Sequence, residues 1–312
     1  MIILKKTSIL YIFDLIRWKN LALILLVHIL IKYALLEAFE VLTVLDNFHF
    51  FLLSLSVMCI AAAGNIINDI YDVESDKINK PNRVLVGFKF SEKAAYNFYF
   101  GFNIIGVLLG FYLSNHIGKP SFFGIFVIAS LLLYVYASFL KRTIIFGNLT
   151  ISFLVGMSVL IVGVFDVIPA IFPPNRESQL VFFNIIFDYA IFAFLVNLVR
   201  ELIKDIQDVD GDYKTGSNTL PVAIGRERAN KIVFAVSIIP IFAIIFYLVN
   251  FLYKQQFAIL YFLIFVIAPM IYSSIKIFSA KHKRHYKNLS IIYKIIMLLG
   301  MISIGLYPLI LK

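Results

Sequence analysis

The sequence predicts an all-α, polytopic membrane protein with about nine transmembrane helices. Of its 312 residues, 61% are hydrophobic and 15% are charged, whereas soluble domains are about 45–50% apolar and about 25% charged. Mean hydropathy is +0.92. The apolar residues fall in runs of about 20, which is the length that an α-helix needs to cross a bilayer. A soluble core could not hide this much apolar surface.

Nine apolar runs can be placed in order along the chain, and charged or turn-forming residues separate each run from the next. Each run is near the length of one bilayer crossing. We expect all of them to belong to a single membrane-embedded domain, residues 1–312. The expected spans are Leu21–Ala38, Phe50–Ile67, Ala94–Leu113, Phe122–Leu140, Leu149–Val167, Leu180–Val199, Ile232–Leu252, Phe257–Ile275 and Leu289–Ile310.

The basic residues predict the orientation of these spans. Of the 28 Lys and Arg residues, 22 lie in the N-terminal segment, which includes Lys5 and Lys6, or around the loops after spans two, four, six and eight. Because positive charge is retained in the cytoplasm, we expect these segments there and the C-terminus outside. We assign Arg17 to the same signal and to lipid headgroups. The net charge of +10 therefore indicates topology and does not indicate binding to nucleic acid.

Half of the acidic residues, 9 of 18, lie in two short windows or, in the case of Glu201, just before the second window. The first window is "NDIYDVESD", which begins at Asn68, and the second is "KDIQDVDGD", which begins at Lys204. Each follows directly after an even-numbered span, so both are expected on the cytoplasmic side. We interpret the match between them as the same arrangement of acidic residues occurring twice in the chain.

Helical spacing indicates what each window presents. Asn68, Asp72 and Asp76 are four residues apart and share one helix face. The carboxylates of Asp205, Asp208 and Asp212 also share a face if the sixth helix continues that far. Like charges at this spacing repel each other, and a helix C-terminus disfavours anions. A divalent cation would relieve both effects, and Mg²⁺ takes one or two carboxylates together with phosphate oxygens. The alternative is that these residues are solvated helix ends.

Basic side chains accompany both acidic windows. Arg83 follows the first window, Lys141 follows span four, and Arg200 and Lys204 precede the second window. Cations beside a diphosphate would bind it and help it to leave. The alternative for each residue alone is that it only marks the cytoplasmic side.

These residues resemble signatures of the UbiA superfamily of intramembrane prenyltransferases. The family pattern N-D-x-x-D-x-x-x-D is met by the first window, and "INKPNR" after it is similar to the family's "INRPxRP". The pattern D-x-x-D-x-x-G-D is met by Asp205 to Asp212, and "YKTGSNTLPVAIG" follows it. Between spans four and five, "YASFLKRTIIFGN" is similar to "YSxxLKrxxxxGN". The resemblance covers the whole chain, although Lys80, Asn82 and Val84 stand where the family often has Arg, Asp and Pro.

The resemblance implies nine helices around a central cavity, in which Mg²⁺ ions bridge the diphosphate of a polyprenyl donor. By position, Asn68, Asp72 and Asp76 would hold one ion, and Asp208 and Asp212 the other. It assigns Asp69 and Asp205 as second ligands or orienting groups. It gives diphosphate binding to Arg83, Lys141, Arg200 and Lys204.

Ionisation of an allylic C–O bond is the expected reaction, with metals and cations stabilising the charge that develops on the diphosphate. The ring of Tyr136, if it lines the cavity, could stabilise the allylic cation. The D-x-x-D-x-x-G-D form resembles the branch that contains geranylgeranylglycerol-phosphate geranylgeranyltransferases, homogentisate prenyltransferases and chlorophyll synthases.

The first of these activities, ether-lipid synthesis, is our expectation for the acceptor, since we recognise no transit peptide and expect a bacterial cell membrane. Prenylation of an aromatic acceptor in quinone biosynthesis is the alternative. A cation-coupled transporter is a hypothesis of a different class. It predicts carboxylates near the bilayer midplane, whereas nearly all acids here lie at the cytoplasmic ends of spans.

Overall fold

The structure is a computed structural model that describes residues 8–311, and the side chains of residues 10–310. Lys5 and Lys6 of the predicted cytoplasmic segment lie outside the described residues. Within the described chain, nine helices are long and apolar enough to cross a membrane, which confirms the predicted number. Their bounds are Trp18–Phe39, Asn47–Tyr71, Glu92–His116, Pro120–Ser138, Phe146–Ala170, Pro173–Lys214, Arg226–Phe251, Gln256–Ser279 and Lys283–Ile310.

The α-helical elements are interrupted by short π-helical and 3-10 turns, and the described chain is almost entirely helical. Three of the spans contain a π-helical turn, at Leu30–Leu36, Gly163–Val167 and Leu263–Ile267. The α-helices are α1 (Ser8–Leu15), α2 (Trp18–Ile29), α3 (Asn47–Tyr71), α4 (Val73–Asn79), α5 (Glu92–His116), α6 (Phe123–Ser138), α7 (Phe146–Val162), α8 (Arg176–Lys214), α9 (Leu220–Ile224), α10 (Arg226–Phe251), α11 (Gln256–Phe262), α12 (Ala268–Ser279), α13 (Lys283–Ile302) and α14 (Tyr307–Leu311).

The chain divides into two compact units. The first contains Met1–Leu26 and Leu45–Leu140, and the second contains Val27–Val44 and Lys141–Lys312. In the first unit, α3 packs against α5 and α6. A side chain at Gly106 would lie 2.7 Å from Ile60 and 3.0 Å from the Ser56 carbonyl oxygen, so glycine is what allows α3 and α5 to approach this closely.

In the second unit, α8 packs against α7, α10 and α13. A buried ion pair also lies in this unit, where Lys32 Nζ is 2.9 Å from Asp166 Oδ2. Both residues lie in π-helical turns, and Lys32 Nζ also donates to Thr43 Oγ1 at 3.0 Å. An unpaired charge within a membrane span is expensive, so the pair explains how these two ionisable groups are accommodated in the bundle.

The two helices that carry the acidic windows extend beyond their predicted ends. Helix α3 continues past Ile67 to Tyr71, and α8 continues past Val199 to Lys214. The aspartates of the second window share a face only if the helix continues through them, and α8 does continue through Asp205, Asp208 and Asp212. The first window is helical as well, across a turn at Asp72 and into α4.

Candidate active site

The first acidic window begins in the last turn of α3 and ends in α4. The Asp72 nitrogen donates to the Asn68 carbonyl oxygen at 2.9 Å, and the Asp76 nitrogen donates to the Asp72 carbonyl oxygen at 2.8 Å. This pattern keeps a helical register across the junction, so Asn68, Asp72 and Asp76 share one face as predicted. The Asn68 side-chain amide donates to Asp72 Oδ2 at 2.6 Å and holds that carboxylate in place.

Arg17 contacts the first window, whereas we had expected it to mark the cytoplasmic side and to contact lipid headgroups. Its Nη2 lies 2.5 Å from Asp69 Oδ1. The residue sits in the break between α1 and α2 with φ 53°, a left-handed backbone that is uncommon for a non-glycine residue. Attraction by Asp69, and to a lesser extent by Asp72 and Asp76, raises the pKa of the Arg17 guanidinium, so Arg17 stays charged beside these acids.

The segment after the first window turns where its sequence contains Pro81 and Gly87. Helix α4 ends at Asn79, just before Pro81, because proline cannot continue a helix without losing a backbone hydrogen bond. Lys80 Nζ lies 3.8 Å from Asp76 Oδ1. Arg83 closes a 3-10 turn and is exposed, and Gly87 takes φ 83°. In the same unit, Tyr136 is buried two residues before the end of α6.

The second window lies on an uninterrupted helix, and neutral side chains hold its aspartates. Asn148 Nδ2 donates to Asp205 Oδ2 at 2.8 Å, and Thr219 Oγ1 donates to Asp212 Oδ2 at 3.3 Å. Gln207 Nε2 donates to Asp208 Oδ1 at 3.1 Å. These donors carry no charge, so they orient the carboxylates without adding positive charge to the window.

Asp210 differs from its neighbours in the second window. It is exposed and paired with Arg226, whose Nη2 lies 2.8 Å from Asp210 Oδ1. Helical spacing likewise places Asp210 away from the face that Asp205, Asp208 and Asp212 share.

The predicted diphosphate-binding cations of the second unit meet at one acid. Arg200 Nη1 lies 2.9 Å from Glu201 Oε1, and Lys204 Nζ lies 2.6 Å from Glu201 Oε2. Lys141 interacts electrostatically with the same carboxylate. The Arg142 carbonyl oxygen accepts a bond from the Asn218 nitrogen at 2.8 Å, which ties the turn that carries Lys141 to the segment after α8.

The side chains of both windows suit Mg²⁺. The donors are carboxylate and amide oxygens, which are hard ligands of the kind that this ion prefers. No group of three or more His, Cys, Asp or Glu side chains converges on a metal position anywhere in the described chain. Mg²⁺ usually takes only one or two protein carboxylates and completes its octahedron with water and substrate phosphates. The residues present therefore fit ions that bind together with a diphosphate.

Four side chains at these windows escaped the sequence analysis as site residues. Asn148 and Thr219 lie within the segments "YASFLKRTIIFGN" and "YKTGSNTLPVAIG", so the resemblance could have identified them. Arg17 and Glu201 carried no comparable signal. Arg17 lies 52 residues from Asp69 along the chain. Nothing in the sequence distinguishes Glu201 from other acids that lie near basic residues.

Comparisons with known proteins agree with these features. The profile of the UbiA prenyltransferase family matches residues 21–308. A digeranylgeranylglyceryl phosphate synthase of Methanosphaera stadtmanae is 31% identical over 263 residues, which is 83% of this chain and 88% of that relative. A solved structure of a digeranylgeranylglyceryl phosphate synthase is 25% identical, with a TM-score of 0.64, and the match covers 96% of this chain and 99% of that one.

A UbiA homologue from Archaeoglobus fulgidus, solved with DMAPP and Mg²⁺, has the same fold. It is 18% identical, with a TM-score of 0.56, and the match covers 94% of this chain and 98% of that chain. The apolar spans, the two helical acidic windows and the family match lead to one conclusion. This chain is an integral, multi-pass membrane protein that belongs to the UbiA prenyltransferase family.

Proposed function

We propose that this prenyltransferase moves a geranylgeranyl group from its diphosphate to the hydroxyl group of geranylgeranylglyceryl phosphate, which makes an ether-linked lipid precursor. The observation that carries the proposal is the pair of helical oxygen-donor clusters, each accompanied by cations, in a UbiA family chain. Likeness to relatives named digeranylgeranylglyceryl phosphate synthase over most of both chains supports this acceptor.

The proposed site uses the residues that the family motifs assign. The ligands for Mg²⁺ are Asn68, Asp72 and Asp76 in the first window and Asp208 and Asp212 in the second, with Asp69 and Asp205 as second ligands or orienting groups. When bound, Mg²⁺ would neutralise the diphosphate and act as a Lewis acid while the C–O bond breaks. Asn68, Asn148 and Thr219 hold the neighbouring carboxylates in place for that role.

In this proposal the cations act on the diphosphate of the donor, and Tyr136 acts on its allylic group. Arg83, Lys141, Arg200 and Lys204 bind the diphosphate as it takes up negative charge. The face of Tyr136 is proposed to stabilise the allylic cation. The allylic C–O bond breaks, and its electron pair leaves with the diphosphate. The acceptor oxygen then forms the new C–O bond and loses its proton, which a diphosphate oxygen can accept.

We further propose that one domain, residues 1–312, forms this site on the cytoplasmic side of a cell membrane. The 22 basic residues of the N-terminal segment and even-numbered loops support this orientation. The assignment to a bacterial membrane stays a prediction. An alkaline phosphatase fused after Lys312 is expected to be active outside the cell, and an inactive fusion would reverse the orientation.

The activity can be tested with the purified chain in lipid nanodiscs supplied with labelled geranylgeranyl diphosphate and Mg²⁺. Geranylgeranylglyceryl phosphate and homogentisate are offered together, and products are identified by mass spectrometry. We expect label in the doubly prenylated glyceryl phosphate. Label only in the aromatic acceptor would favour quinone biosynthesis. Absence of any transfer, together with ion flux in vesicles, would favour a transporter.

A further inference from the structure

The positive net charge of the chain comes entirely from its C-terminal part. Residues 1–227 contain 18 basic and 18 acidic residues, whereas residues 228–312 contain 10 basic residues and no acid. Glu227 is the last acidic residue in the sequence. The excess charge of +10 is therefore a property of residues 228–312 and requires an explanation there.

Half of these basic residues lie together where the eighth span ends and the ninth begins. Helix α12 ends at Ser279 and α13 begins at Lys283, so the connection between them is short. We call this cluster the basic patch, and its members, all of them exposed, are Lys276, Lys281, Lys283, Arg284 and Lys287. Its members other than Lys283 form no ion pair with an acid of the described chain.

The positive-inside rule does not account for the missing acids. That rule depends on Lys and Arg and is almost insensitive to Asp and Glu. Elsewhere on the same predicted side, acids accompany the cations, as where Lys77 Nζ lies 2.7 Å from Glu74 Oε1. In the basic patch, Arg284 and Lys287 are three residues apart on a helix, and like charges at this spacing repel each other. An anion from outside the chain would relieve that repulsion.

Buried hydrogen bonds fix the backbone that carries the basic patch. The Ala280 carbonyl oxygen accepts bonds from Asn230 Nδ2 and from the Tyr286 hydroxyl group, both at 2.8 Å. That hydroxyl group also lies 3.1 Å from Asn230 Oδ1, and all three residues are buried. Because Ala280 and Tyr286 flank residues 281–285, this network determines where the charged side chains leave the backbone. A segment that only marked topology would need no such support.

Apolar side chains beside the basic patch indicate which kind of anion fits. Tyr272, Ile275 and Phe278 on α12 are 53%, 61% and 60% exposed. Lys276 lies among them, with its Nζ atom 5.7 Å from the centroid of the Tyr272 ring. Side chains of this kind keep their apolar parts in the bilayer and their charge at the headgroups. A lipid with an anionic headgroup matches both the charge and the apolar surface, whereas nucleic acid or a soluble anion would match the charge alone.

We propose that the basic patch is a preformed site for the anionic headgroups of membrane phospholipids. The lipid phosphate supplies the negative charge that residues 228–312 lack, and the lipid chains cover the exposed apolar side chains of α12. No member of the basic patch belongs to either acidic window. The inference therefore goes beyond the proposed function and does not depend on it.

The binding can be measured with the whole chain in detergent, by native mass spectrometry during titration with phosphatidylglycerol. Phosphatidylcholine with the same acyl chains, which has no net charge, is the reference lipid. The patch variant combines Lys281→Gln, Arg284→Gln and Lys287→Gln. The control variant has the same net charge and changes three exposed residues outside the patch, in the combination Lys89→Gln, Lys93→Gln and Lys214→Gln.

The two triple variants separate a local site from net charge. Wild type should prefer phosphatidylglycerol by at least about tenfold, since each basic side chain at a membrane surface adds to the attraction of anionic lipid. The patch variant should lose most of this preference, and the control variant should keep it. Equal weakening in both variants, or an unchanged preference in the patch variant, would overturn the proposal. Equally tight binding of soluble glycerol 1-phosphate would overturn the choice of a lipid.

A variant that keeps every charge tests whether the site is preformed. Tyr286→Phe removes the hydroxyl group that donates to Ala280, so phosphatidylglycerol binding should weaken about threefold at unchanged net charge. Tyr261→Phe is the matched control, because it removes a hydroxyl group that donates to the Leu299 carbonyl oxygen at 2.8 Å in the same unit, and it should bind as wild type. Wild-type binding by Tyr286→Phe would overturn the positioning of the patch by this network.

Discussion

In the first acidic window, Arg17 contacts an aspartate of the motif itself, at 2.5 Å from Asp69. In the second window, the neighbouring cations Arg200 and Lys204 contact Glu201, one turn before the motif. The two sequences are nearly superimposable, and yet Arg17 contacts the first aspartate of its motif, whereas Arg200 and Lys204 contact an acid before the motif. Within the second motif, Arg226 pairs with Asp210. Similar spacing of acids therefore does not fix how their charge is compensated.

The backbone also differs between the two windows. The first window crosses a turn at Asp72 between α3 and α4, whereas the second lies within the uninterrupted helix α8. Amides support both windows, through Asn68 on the same helix and through Asn148 on α7. The supporting amide lies on the same helix in the first window and on a neighbouring helix in the second, so substitutions of the two amides should have different consequences.

The largest expected effect is shared by both windows. Asp72→Ala and Asp208→Ala should each reduce turnover by at least about a hundredfold, since each removes a proposed ligand of the Mg²⁺ that would stabilise the departing diphosphate. Initial rates with labelled donor, at saturating Mg²⁺, measure the loss. Asp210→Ala is the matched control, because Asp210 is exposed and paired with Arg226, and it should be much milder. Equal loss in all three variants would contradict the proposed ligand set.

Asn148→Leu should produce the next largest effect and should act on the second window alone. Its amide donates to Asp205 at 2.8 Å, and a hydrogen bond to a charged group contributes about 1.5–3 kcal/mol. We expect about a tenfold rise in the Mg²⁺ concentration needed for half-maximal turnover. Asn197→Leu removes a bond between the same two helices, to Ser152 at 3.2 Å, and should lower thermal stability without changing that concentration. An equal shift in both variants would show that helix packing is responsible.

Arg17→Gln should have the smallest effect and the opposite sign. Removing a cation beside Asp69 leaves the first window more negative, and one unit charge at about 4 Å in water is worth about 1 kcal/mol. The Mg²⁺ concentration for half-maximal turnover should therefore fall about fivefold. Lys19→Gln is the control because it removes the same charge two residues further along. A higher Mg²⁺ requirement in Arg17→Gln would show that Arg17 does not act by offsetting the aspartates.

The sequence predicted what depends on local pattern. Nine spans follow from runs of apolar residues, and the shared face of Asn68, Asp72 and Asp76 follows from a spacing of four. The sixth apolar span is predicted to end at Val199, where hydropathy falls, but hydropathy decides burial in lipid and not the end of a helix, and α8 continues to Lys214. Gly211 would also have argued against a helix, and yet it lies inside α8.

Contacts between distant residues could not be predicted. Arg17 reaches Asp69 across 52 residues, and Asn148 reaches Asp205 across 57. Lys32 and Asp166, separated by 134 residues, pair inside the second unit. Such pairs depend on how helices pack, and one sequence contains no record of it. The charge pattern drew attention to Arg200 and Lys204 but not to their common partner Glu201, because charge pattern alone does not say which acid a lysine will contact.

The central proposal is that each acidic window holds one metal ion together with a diphosphate. Mn²⁺ can replace Mg²⁺ as a paramagnetic probe, and its binding to the nanodisc protein can be counted by electron paramagnetic resonance with a non-reactive thiodiphosphate donor present. We predict about two ions per wild-type chain, as in other two-metal sites, and about one in either Asp72→Ala or Asp208→Ala. The account would be contradicted if either variant still bound two ions. It would also be contradicted if Asp208→Ala lost both ions while Asp72→Ala did not.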